Sequence, residues 1–384
     1  MASTPRAGII GTGFMGTVHS HAVRAAGSTV SAVAGSSQAS AEAAAARLGA
    51  GAAAESPEAL IARDDVDVVH ICTPNATHAD LARKAIAAGK AVICEKPLAT
   101  SVEDATELAY LADQAGVVTA VPFVYRFYPA VREARDRILS GEAGRLWLLH
   151  GSYLQDWLAG AEATNWRVDT KLGGASRAFG DIGVHWCDLM EFTTGHRITR
   201  IIARTSRAYE QRETQGTLSS VATEDGATLI FETDRGATGS LVVSQVSPGR
   251  KNRLWFSFDG TEASFSFNQE RPDTLRIGRP DSSSDVPVGP QTLSTPGGRR
   301  YAKLPPGHPH GYQDSFNAFV TDTYAAVQGQ EPEGLPTFRD GLRAALLTEA
   351  VLTSAAHHAW IDVRPTGNPH ETLESSSAVE RQKQ

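Results

Sequence analysis

Three side chains of this sequence could share one piece of acid–base chemistry: Lys96, Asp181 and His185. Lys96 follows the apolar run Ala91–Cys94, so its ammonium group stands at the end of a predicted strand and can stabilise negative charge on a substrate oxygen. Asp181 and His185 are four residues apart and would share one face of a helix, which gives a base with an adjacent carboxylate. Such groups suit removal of an alcohol proton as hydride leaves the same carbon.

A structural explanation of the Asp181–His185 pair stays open at this point, because an aspartate can cap a helix and a histidine can pack in a core. The dipole at a helix N-terminus disfavours imidazolium while the carboxylate favours it, so the charge of His185 is not predicted. A zinc site would need a third and a fourth ligand at suitable spacing, and none is evident beside the pair. We therefore expect no metal.

A glycine-rich turn carries Gly11, Gly13 and Gly16 directly after an apolar run and before a helical segment. Missing side chains at this spacing permit a tight turn, close approach of a pyrophosphate and close packing of helix on strand. The backbone amides of Phe14 and Met15 would then bind phosphate. Because the motif lies in a strand–helix–strand unit, we predict a dinucleotide site rather than a simple glycine-rich turn.

The end of the second predicted strand bears on the choice of dinucleotide. An acid is expected there for the ribose 2′-hydroxyl of NAD, but Ala34 is followed by Gly35, Ser36 and Ser37. Two hydroxyls and an open backbone could accept a 2′-phosphate, although Arg47 is expected on a helix farther away. We predict NAD(P) as the cofactor, with NADP slightly favoured over NAD. Ser36 and Ser37 could instead only cap the following helix.

A polar segment follows the next apolar strand and contains Thr73, Pro74, Asn75 and His78. Ligands of doubly wound folds bind at the carboxyl edge of the sheet, where this segment would lie. We therefore predict these four residues as cofactor-binding. Helix capping by Asn75 or Thr77 is an alternative role that could coexist with it.

The elements that would position these residues alternate between short apolar strands and alanine-rich helices up to about residue 121. This alternation is typical of a parallel sheet covered by helices on both faces. We predict an α/β dinucleotide-binding Rossmann domain, with a doubly wound parallel sheet, over residues 1–125. Its predicted strands are Ala7–Ile10, Thr29–Ala34, Val66–Cys72, Ala91–Cys94 and Val117–Val121.

From residue 126 the pattern changes to β-rich segments separated by glycine-centred turns. We predict a C-terminal α+β domain for substrate binding and oligomerisation over residues 126–367, built on a large, mostly antiparallel open sheet, with C-terminal helices packing back on the first domain. Residues 280–310 predict a long loop, and residues 368–384 a disordered tail. The predicted strands are Arg145–Leu154, Ile198–Ala208, Thr217–Thr233, Ala237–Ser247, Leu254–Asp259 and Glu262–Phe267.

Composition narrows the class of protein. A net charge of -7 argues against nucleic acid as a partner, and 41% hydrophobic with 21% charged residues is ordinary globular usage. No apolar run approaches the roughly 20 residues of a membrane span, so we expect no membrane partner. The first strand begins too near Met1 for a secretory signal, and three cysteines without CxxC spacing suggest a reducing compartment. We expect a cytoplasmic protein.

Apolar residues alternate along Thr228–Phe231 and Ser240–Val246, which indicates a sheet face that must be covered. From that face we expect a homo-oligomer, either a dimer or a tetramer.

Taken together, these motifs resemble the Gfo/Idh/MocA family, which is named after glucose-fructose oxidoreductase, inositol dehydrogenase and a rhizopine-catabolism protein. The resemblance spans most of the chain. It implies that Lys96, Asp181 and His185 form the catalytic set: His185 takes the alcohol proton, Lys96 hydrogen-bonds the developing alkoxide, and Asp181 orients the pair. The supporting segments are residues 11–16, 72–75, 95–97, 126–127, 173–174, 181–185 and 340–343.

The resemblance also implies roles around the cofactor. Glu95 is similar in position to a family residue beside the nicotinamide ribose, and Arg126 to one near the cofactor or substrate. A surface ion pair would explain either residue as well. Trp166 and Arg167 lie in a segment that resembles a cofactor-contacting loop in part of the family.

Stacking faces and hydrogen-bonding groups for a sugar are available in Tyr153, Asp156 and Trp157. Core packing explains Trp157 about as well. His308 could close the pocket from the proline-rich loop, although it and His310 are more often solvent-exposed in such a setting. The predicted substrate contacts are Lys96, Tyr153, Asp156, Trp157, Asp181, His185 and His308.

The sequence thus predicts an NAD(P)-dependent oxidoreductase that acts on a secondary alcohol or ketone of a sugar, an inositol-like polyol or a glycoside. One alternative is a non-catalytic nucleotide-binding sensor, against which the presence of all three proposed catalytic residues speaks. Another is a reductase of a non-carbohydrate substrate, which the same lysine and histidine could serve.

Overall fold

The computed structural model describes residues 4–163, 165–214, 217–364 and 366. These residues divide into two compact units. The first unit contains residues 4–122, 316–345 and 366, and the second contains the described residues of 123–315 and 346–364. The domain boundaries predicted at residues 125 and 367 stay predictions, and the predicted tail at 368–384 lies outside the described residues.

A parallel sheet forms the centre of the first unit. Its strands are β1 (Ala7–Ile10), β2 (Val30–Ala34), β3 (Ala52–Ala53), β4 (Val68–Ile71), β5 (Ala91–Cys94) and β6 (Thr119–Ala120). Within the described part of the chain they pair in the order β3-β2-β1-β4-β5-β6, all parallel. Strands β1, β4 and β5 are buried at every position, as expected where helices cover both faces. The prediction of a doubly wound Rossmann sheet is confirmed.

Helices connect these strands. They are α1 (Phe14–Ala25), α2 (Gln38–Leu48), α3 (Pro57–Ile61), α4 (His78–Ala87) and α5 (Val102–Ala115). Ser37, Ser56 and Ser101 cap α2, α3 and α5, because each hydroxyl accepts a hydrogen bond from an amide of the first turn. The short β3 and α3 were not predicted, since two strand residues and five helical residues carry almost no periodicity.

The second unit is built on a mixed sheet. The strands of this unit are β7 (Leu146–Leu154), β8 (Ile198–Ser206), β9 (Gln211–Thr214), β10 (Thr217–Ser220), β11 (Gly226–Thr233), β12 (Thr238–Ser244), β13 (Arg253–Gly260), β14 (Ser264–Asn268), β15 (Thr274–Gly278), β16 (Ser283–Pro287) and β17 (Ile361–Asp362). Among the residues described, nine strands pair in the order β16-β15-β14-β13-β7-β12-β11-β8-β17. Only the β7–β12 pair of that sheet is parallel, so the mostly antiparallel sheet is confirmed.

Several segments of this unit differ from prediction, and β9 and β15 were not predicted at all. The single strand expected over Thr217–Thr233 is two strands, because Glu224 and Asp225 turn inward between them and are buried. The loop expected over residues 280–310 contains β16 and a short helix. The strand is a polar edge strand with little alternation, and Thr295 caps the helix, so neither gave a strong pattern.

The remaining helices are α6 (Pro129–Leu139), α7 (Thr170–Gly173), α8 (Val184–Thr194), α9 (Pro296–Tyr301), α10 (Tyr312–Val327) and α11 (Phe338–His357). Trp186 fixes α8 on the sheet: its indole nitrogen donates to the carbonyl oxygen of Trp255 at 2.9 Å. A Cβ on Gly151 would lie 2.3 Å from that nitrogen, so only glycine leaves room for the ring. None of the helices that the structure describes has the length and apolarity needed to cross a bilayer.

Candidate active site

The turn between β1 and α1 is shaped to leave space for a ligand at its middle glycine. Gly11 has a φ of 108°, and a Cβ there would lie 2.4 Å from the carbonyl oxygen of Cys72. A Cβ on Gly16 would lie 2.3 Å from the carbonyl oxygen of Gly11. A Cβ on Gly13 would meet no protein atom within 4 Å. The fold itself therefore requires the first and third glycines, whereas the second faces open space where a pyrophosphate can approach.

The N-terminus of α1 offers its first amides to an anion. Gly13 is the N-cap and supplies no side-chain hydrogen bond, and the first turn carries no acidic residue. Phe14 and Met15 begin the helix, and the Phe14 ring is 74% exposed. The positive end of the helix dipole favours phosphate at this place. These residues fit the pyrophosphate of NAD or NADP, and their contact with it stays a prediction.

Beyond β2 the structure contains a cation close to this turn. The guanidinium of Arg47 donates to the carbonyl oxygen of Thr12 at 2.6 Å and to Oγ1 of Thr17 at 2.7 Å. Arg47 lies on α2, as expected, and its long side chain reaches from the C-terminal end of that helix back to the glycine-rich turn. Ser37 caps α2, as the alternative of helix capping expected, whereas Ser36 is exposed.

The side chain of His78 connects the segment after β4 to the segment after β5 by hydrogen bonds. The imidazole is fully buried, with Nε2 at 2.9 Å from the carbonyl oxygen of Thr73 and Nδ1 at 2.7 Å from that of Pro97. Burial lowers the pKa of His78, against the two carbonyls that raise it. Asn75 is buried, and the hydroxyl of Thr77 donates to Oγ1 of Thr73 at 2.7 Å and accepts no capping hydrogen bond from a helix amide. Cofactor contact by these residues stays a prediction.

Lys96 is the second residue after β5, and its backbone N–H donates to Oε2 of Glu95 at 3.2 Å. Oε1 of Glu95 lies 3.1 Å from Nε2 of His19. Burial acts to raise the pKa of Glu95, but the hydrogen bond and charge of His19 and the charge of Lys96 outweigh it, so this pKa lies below its usual value. Glu95 is thus a buried, ionised carboxylate beside Lys96, and the alternative of a surface ion pair was wrong.

In the second unit, Asp181 lies on a π-helical turn. This turn spans Phe179–Gly183, and the amide of Val184 donates to the carbonyl oxygen of Phe179, five residues back. The helix α8 continues from it and carries His185. A helix near Asp181 is confirmed, but the α-helical spacing that placed both residues on one face does not apply to a π-turn. Such turns occur frequently at functional sites.

The carboxylate of Asp181 is held by residues distant in sequence. The buried Gln245 donates from Nε2 to Oδ2 of Asp181 at 2.7 Å. Nε of Arg167 lies 3.5 Å from Oδ1 of the same carboxylate. The Arg167 guanidinium lies 4.3 Å from the centre of the Trp166 ring. Arg167 therefore lies close to Asp181, with Trp166 against its guanidinium, and the contact of both residues with cofactor stays a prediction.

Aromatic rings surround His185, which is buried in the second unit. The rings of Phe123 and Tyr125 meet it edge to face, with centroids 5.6 and 5.1 Å away, and that of Tyr153 lies at 6.4 Å. The Tyr153 hydroxyl donates to Oδ1 of Asn252 at 2.7 Å and hydrogen-bonds the hydroxyl of Tyr125. Burial raises the pKa of Tyr125 to about 12 and that of Tyr153 well above its usual value. Both phenols stay neutral near pH 7.

A buried ionic cluster supports the segments on either side of Asp181. Asp225 accepts from Arg177, which lies two residues before the π-turn, and from Arg212 at 2.9 Å. Burial acts to raise the pKa of Asp225, but the hydrogen bonds and charges of the two arginines outweigh burial. The pKa of Asp225 therefore lies below its usual value. Arg212 also donates to the loop before Trp166, at the carbonyl oxygens of Leu158 (3.0 Å), Gly160 (2.8 Å) and Ala163 (2.9 Å).

Arg126 lies away from solvent in the same unit. Its Nε donates to Oδ2 of Asp188 at 2.8 Å, and its guanidinium lies 4.9 Å from the ring centre of Phe192. Since the pair is almost completely buried, the alternative of a surface ion pair was wrong for Arg126 as well. Its contact with cofactor stays a prediction.

The outer substrate candidates are the more exposed ones. Trp157 is 37% exposed, so core packing does not explain it, and its indole nitrogen donates to Gln155 at 2.9 Å. Asp156 accepts from Nζ of Lys251 at 2.7 Å, and this hydrogen bond lowers its pKa. His308 is exposed, as its proline-rich setting suggested. Substrate contact by these residues stays a prediction.

Sequence reasoning missed three residues whose side chains hold the site: His19, Gln245 and Asn252. The side chain of each bonds to residues at least 51 positions away, which leaves no short motif. Only His19 gave a weak signal, as a histidine one turn after Gly16 within an otherwise apolar helix face. In the part of the chain that the structure describes, no cluster of three or more His, Cys, Asp or Glu could hold a metal ion.

Comparison with known proteins agrees with this geometry. The model of the Gfo/Idh/MocA oxidoreductase family with an NAD-binding Rossmann fold matches residues 5–123, and the model of the family's C-terminal domain matches residues 131–266. This chain belongs to the Gfo/Idh/MocA family. The predicted family is confirmed, and with it an oxidoreductase that binds a nicotinamide cofactor.

Relatives within the Gfo/Idh/MocA family act on sugars and polyols. Levoglucosan dehydrogenase of Pseudarthrobacter phenanthrenivorans is 31% identical over 392 residues, which cover 93% of this chain and 97% of that protein. Inositol 2-dehydrogenase of Rhizobium meliloti is 25% identical over 369 residues, covering 94% and 99%. A solved levoglucosan dehydrogenase in complex with NADH and L-sorbose superposes with a TM-score of 0.88 at 32% identity, covering 94% of this chain and 99% of that one.

Proposed function

We propose that this protein transfers a hydride between a secondary alcohol of a sugar, polyol or glycoside and a nicotinamide cofactor. The observation that carries the proposal is the pairing of two features: Lys96 at the end of β5 in a dinucleotide-binding sheet, and Asp181 with His185 on the π-turn and α8. A sensor would need neither. The substrate class is supported by relatives named as levoglucosan and inositol dehydrogenases.

In the proposed reaction, a ring nitrogen of His185 accepts the proton of the substrate hydroxyl, and Nζ of Lys96 donates a hydrogen bond to the same oxygen as negative charge develops on it. Asp181, held by Gln245, orients this proton transfer. The aromatic rings around His185 exclude water from its flanks, which strengthens these interactions. When bound, the oxidised nicotinamide supplies the acceptor for the hydride.

For the cofactor, we propose a preference for NADP over NAD. The site lacks an acid after β2, and Arg47 brings a guanidinium to the glycine-rich turn, where a 2′-phosphate would be attracted. Relatives differ in this respect: one is named D-xylose 1-dehydrogenase (NADP(+)) 2 from Haloferax volcanii, and solved levoglucosan dehydrogenases hold NADH.

We propose that the sugar meets Trp157, Asp156 and His308, together with Tyr153 beside His185. Trp157 offers an exposed ring face for stacking on a sugar, and the Asp156 carboxylate lies next to it in sequence. Tyr153 would mainly pack against the His185 ring and keep it in position, because Tyr153 is buried and its hydroxyl is already bonded to Asn252.

We also propose a homo-oligomer in a reducing cytoplasm. Ile230 on β11 and Val242 on β12 are 52% and 43% exposed on one sheet face, and a second copy would cover them. Cys72 and Cys94 are protonated thiols in strand-end positions, since burial raises both pKa values well above the usual range. Light scattering that gives a monomer at micromolar concentration would contradict the oligomer.

The function is tested by following reduced-cofactor absorbance with NAD and with NADP against a panel of sugars, polyols and anhydrosugars. We expect turnover with at least one substrate carrying a secondary hydroxyl. Tight binding of NADPH together with no turnover on the whole panel, in both reaction directions, would contradict the enzyme and favour a sensor.

A further inference from the structure

A chain of four buried polar side chains runs through the first unit and ends on Glu95. Oε1 of Glu95 lies 3.1 Å from Nε2 of His19, Nδ1 of His19 lies 2.9 Å from Nδ1 of His70, and Nε2 of His70 lies 2.9 Å from the hydroxyl of Tyr324. We call Tyr324, His70, His19 and Glu95 the relay. Its members come from α10, β4, α1 and the end of β5, so four separate elements meet at it.

Every member of the relay is closed off from solvent. His19 and His70 are 0% exposed, Tyr324 is 3% exposed and Glu95 is 7% exposed. The His19 ring packs against Phe316, with centroids 4.7 Å apart, and meets His70 edge to face at 5.1 Å. Two imidazoles with no access to water must satisfy their nitrogens from each other and from their neighbours. The relay provides a partner for each of the four ring nitrogens.

Hydrogen-bond chemistry fixes the direction of the last step of the relay. An ionised Glu95 can only accept, so Nε2 of His19 must carry the proton that lies between them. Tyr324 keeps its proton, because burial raises its pKa far above the usual value, and burial with the charge of His19 lowers that of His70. When His19 is neutral, Tyr324 donates to His70 and His70 donates to His19. With one more proton on His19 both of these bonds reverse, yet Nε2 of His19 still donates to Glu95.

The other oxygen of the same carboxylate reaches the residue proposed to act on substrate. Oε2 of Glu95 accepts the backbone N–H of Lys96 at 3.2 Å. The Glu95 carboxylate is bonded to an imidazole on one side and to the backbone N–H of Lys96 on the other. It therefore fixes the backbone of Lys96 at the residue that carries the ammonium side chain. Rotation of Glu95 would therefore be passed on to the ammonium group.

We propose that His19, backed by His70 and Tyr324, is a positioning residue for Lys96: its Nε2 proton fixes the Glu95 carboxylate, and the carboxylate fixes the Lys96 backbone. This inference rests on the proposed role of Lys96 in hydride transfer. It adds His19, His70 and Tyr324, all three outside the motifs of the sequence, to the machinery of that reaction.

Two substitutions at His19 separate positioning from packing. A glutamine can place its amide nitrogen near the position of Nε2, whereas an asparagine amide reaches only the position of Nδ1. We expect His19→Gln to retain most of the turnover, and His19→Asn to lose about 100-fold in kcat, the effect of a misplacement of about 1 Å, with KM for substrate and Kd for NADPH nearly unchanged. His21→Asn, on the exposed face of the same helix, is the matched control.

Equal kcat values for the two His19 variants, whether high or low, would overturn the proposal, because a role in packing does not depend on which nitrogen is replaced. A third variant, Tyr324→Phe, keeps the ring and removes only the hydroxyl, and we expect it to lower kcat about threefold to tenfold with unchanged Kd for NADPH. A kcat for Tyr324→Phe equal to that of the unsubstituted protein would count against the relay beyond His19.

A direct observation does not depend on turnover. Long-range proton–nitrogen NMR spectra of the full chain labelled with nitrogen-15 histidine report which ring nitrogens carry protons, and the signals absent from His19→Gln assign His19. We expect a protonated Nε2. An unprotonated Nε2 on His19 would overturn the relay while leaving the proposed function untouched, whereas loss of the Lys96 role would show only in turnover.

Discussion

The amide of Gln245 donates to the Asp181 carboxylate at 2.7 Å, although the two residues are 64 positions apart. Gln245 follows β12, while Asp181 lies on the π-turn before α8. The sheet of the second unit thus contacts the helical segment of the candidate site through a side chain that no motif indicated. This contact defines one face of the Asp181 carboxylate and leads to the first prediction.

Replacing Gln245 by Ala should lower kcat about tenfold, because a hydrogen bond to a charged group contributes roughly 1.5–3 kcal/mol and the Asp181 carboxylate would lose its orientation. Steady-state kinetics at saturating cofactor check this. The control is Gln211→Ala, an exposed glutamine on β9. A kcat equal to that of the control would show that Asp181 does not depend on Gln245.

Cofactor preference should depend on Arg47. The Arg47→Ala variant should lose about tenfold in kcat/KM with NADP, because one charge-assisted interaction with the 2′-phosphate is removed, and less with NAD. Ser36→Asp should shift preference towards NAD by repelling the phosphate and accepting from the ribose hydroxyl. The readout is the ratio of kcat/KM for the two cofactors. If Arg47→Ala lowers kcat/KM equally with both cofactors, Arg47 only stabilises the glycine-rich turn and does not recognise the 2′-phosphate.

Stability of the second unit should depend on Asp225. Asp225→Asn leaves Arg177 and Arg212 as buried cations without a carboxylate, which should cost about 3–5 kcal/mol of unfolding free energy. Denaturant unfolding measures it. The matched control is Asp285→Asn, whose exposed ion pair with Arg276 should change stability by about 1 kcal/mol or less. A loss no larger than that of the control would contradict a supporting role for the cluster.

The same aspartate predicts a dependence of stability on pH. The folded-state pKa of Asp225 is lowered below its ordinary value of 3.8, so its contribution is complete above that pH and is lost as pH falls towards the folded value. The melting temperature should therefore decline below about pH 4 more steeply in the unsubstituted protein than in Asp225→Asn. Identical slopes for the two proteins would contradict this prediction.

Sugar binding should depend on Trp157. Its exposed ring face suits stacking, so Trp157→Ala should raise KM about tenfold with little change in kcat, since a stacking contact contributes roughly 0.5–1.5 kcal/mol and burial adds to it. Trp360 is equally exposed, at 37%, and Trp360→Ala is the matched control. If both variants leave KM unchanged, Trp157 does not contact the substrate.

How far the sequence predicts the fold is clear from individual elements. Strands β1, β4 and β5 were placed within two residues, because an apolar run between turn residues leaves little choice. The π-turn at Phe179–Gly183 was missed, since an inserted residue in a helix changes the register without changing composition. The edge strand β16 was missed because it buries almost nothing.

The sequence predicted those residues of the candidate site that belong to a local motif. Glycine spacing and the Glu95–Lys96 pair stand out locally, whereas the partner of His70 is Tyr324, 254 residues farther along the chain. A contact of that kind depends on how elements pack, which no spacing within the sequence encodes. The position of Arg47 shows the same limit over a shorter range, because the reach of a long side chain is decided by helix orientation.

The most direct test of the function is a comparison of Lys96→Met with the unsubstituted protein, since methionine keeps much of the side-chain length and removes the donor. With a reactive sugar identified, reduced-cofactor absorbance is followed in single turnovers with a saturating amount of enzyme. We predict that the hydride-transfer rate falls by about 100-fold to 10,000-fold while Kd for NADPH is unchanged. A transfer rate in Lys96→Met equal to that of the unsubstituted protein would contradict the proposed role of Lys96 and the mechanism built on it.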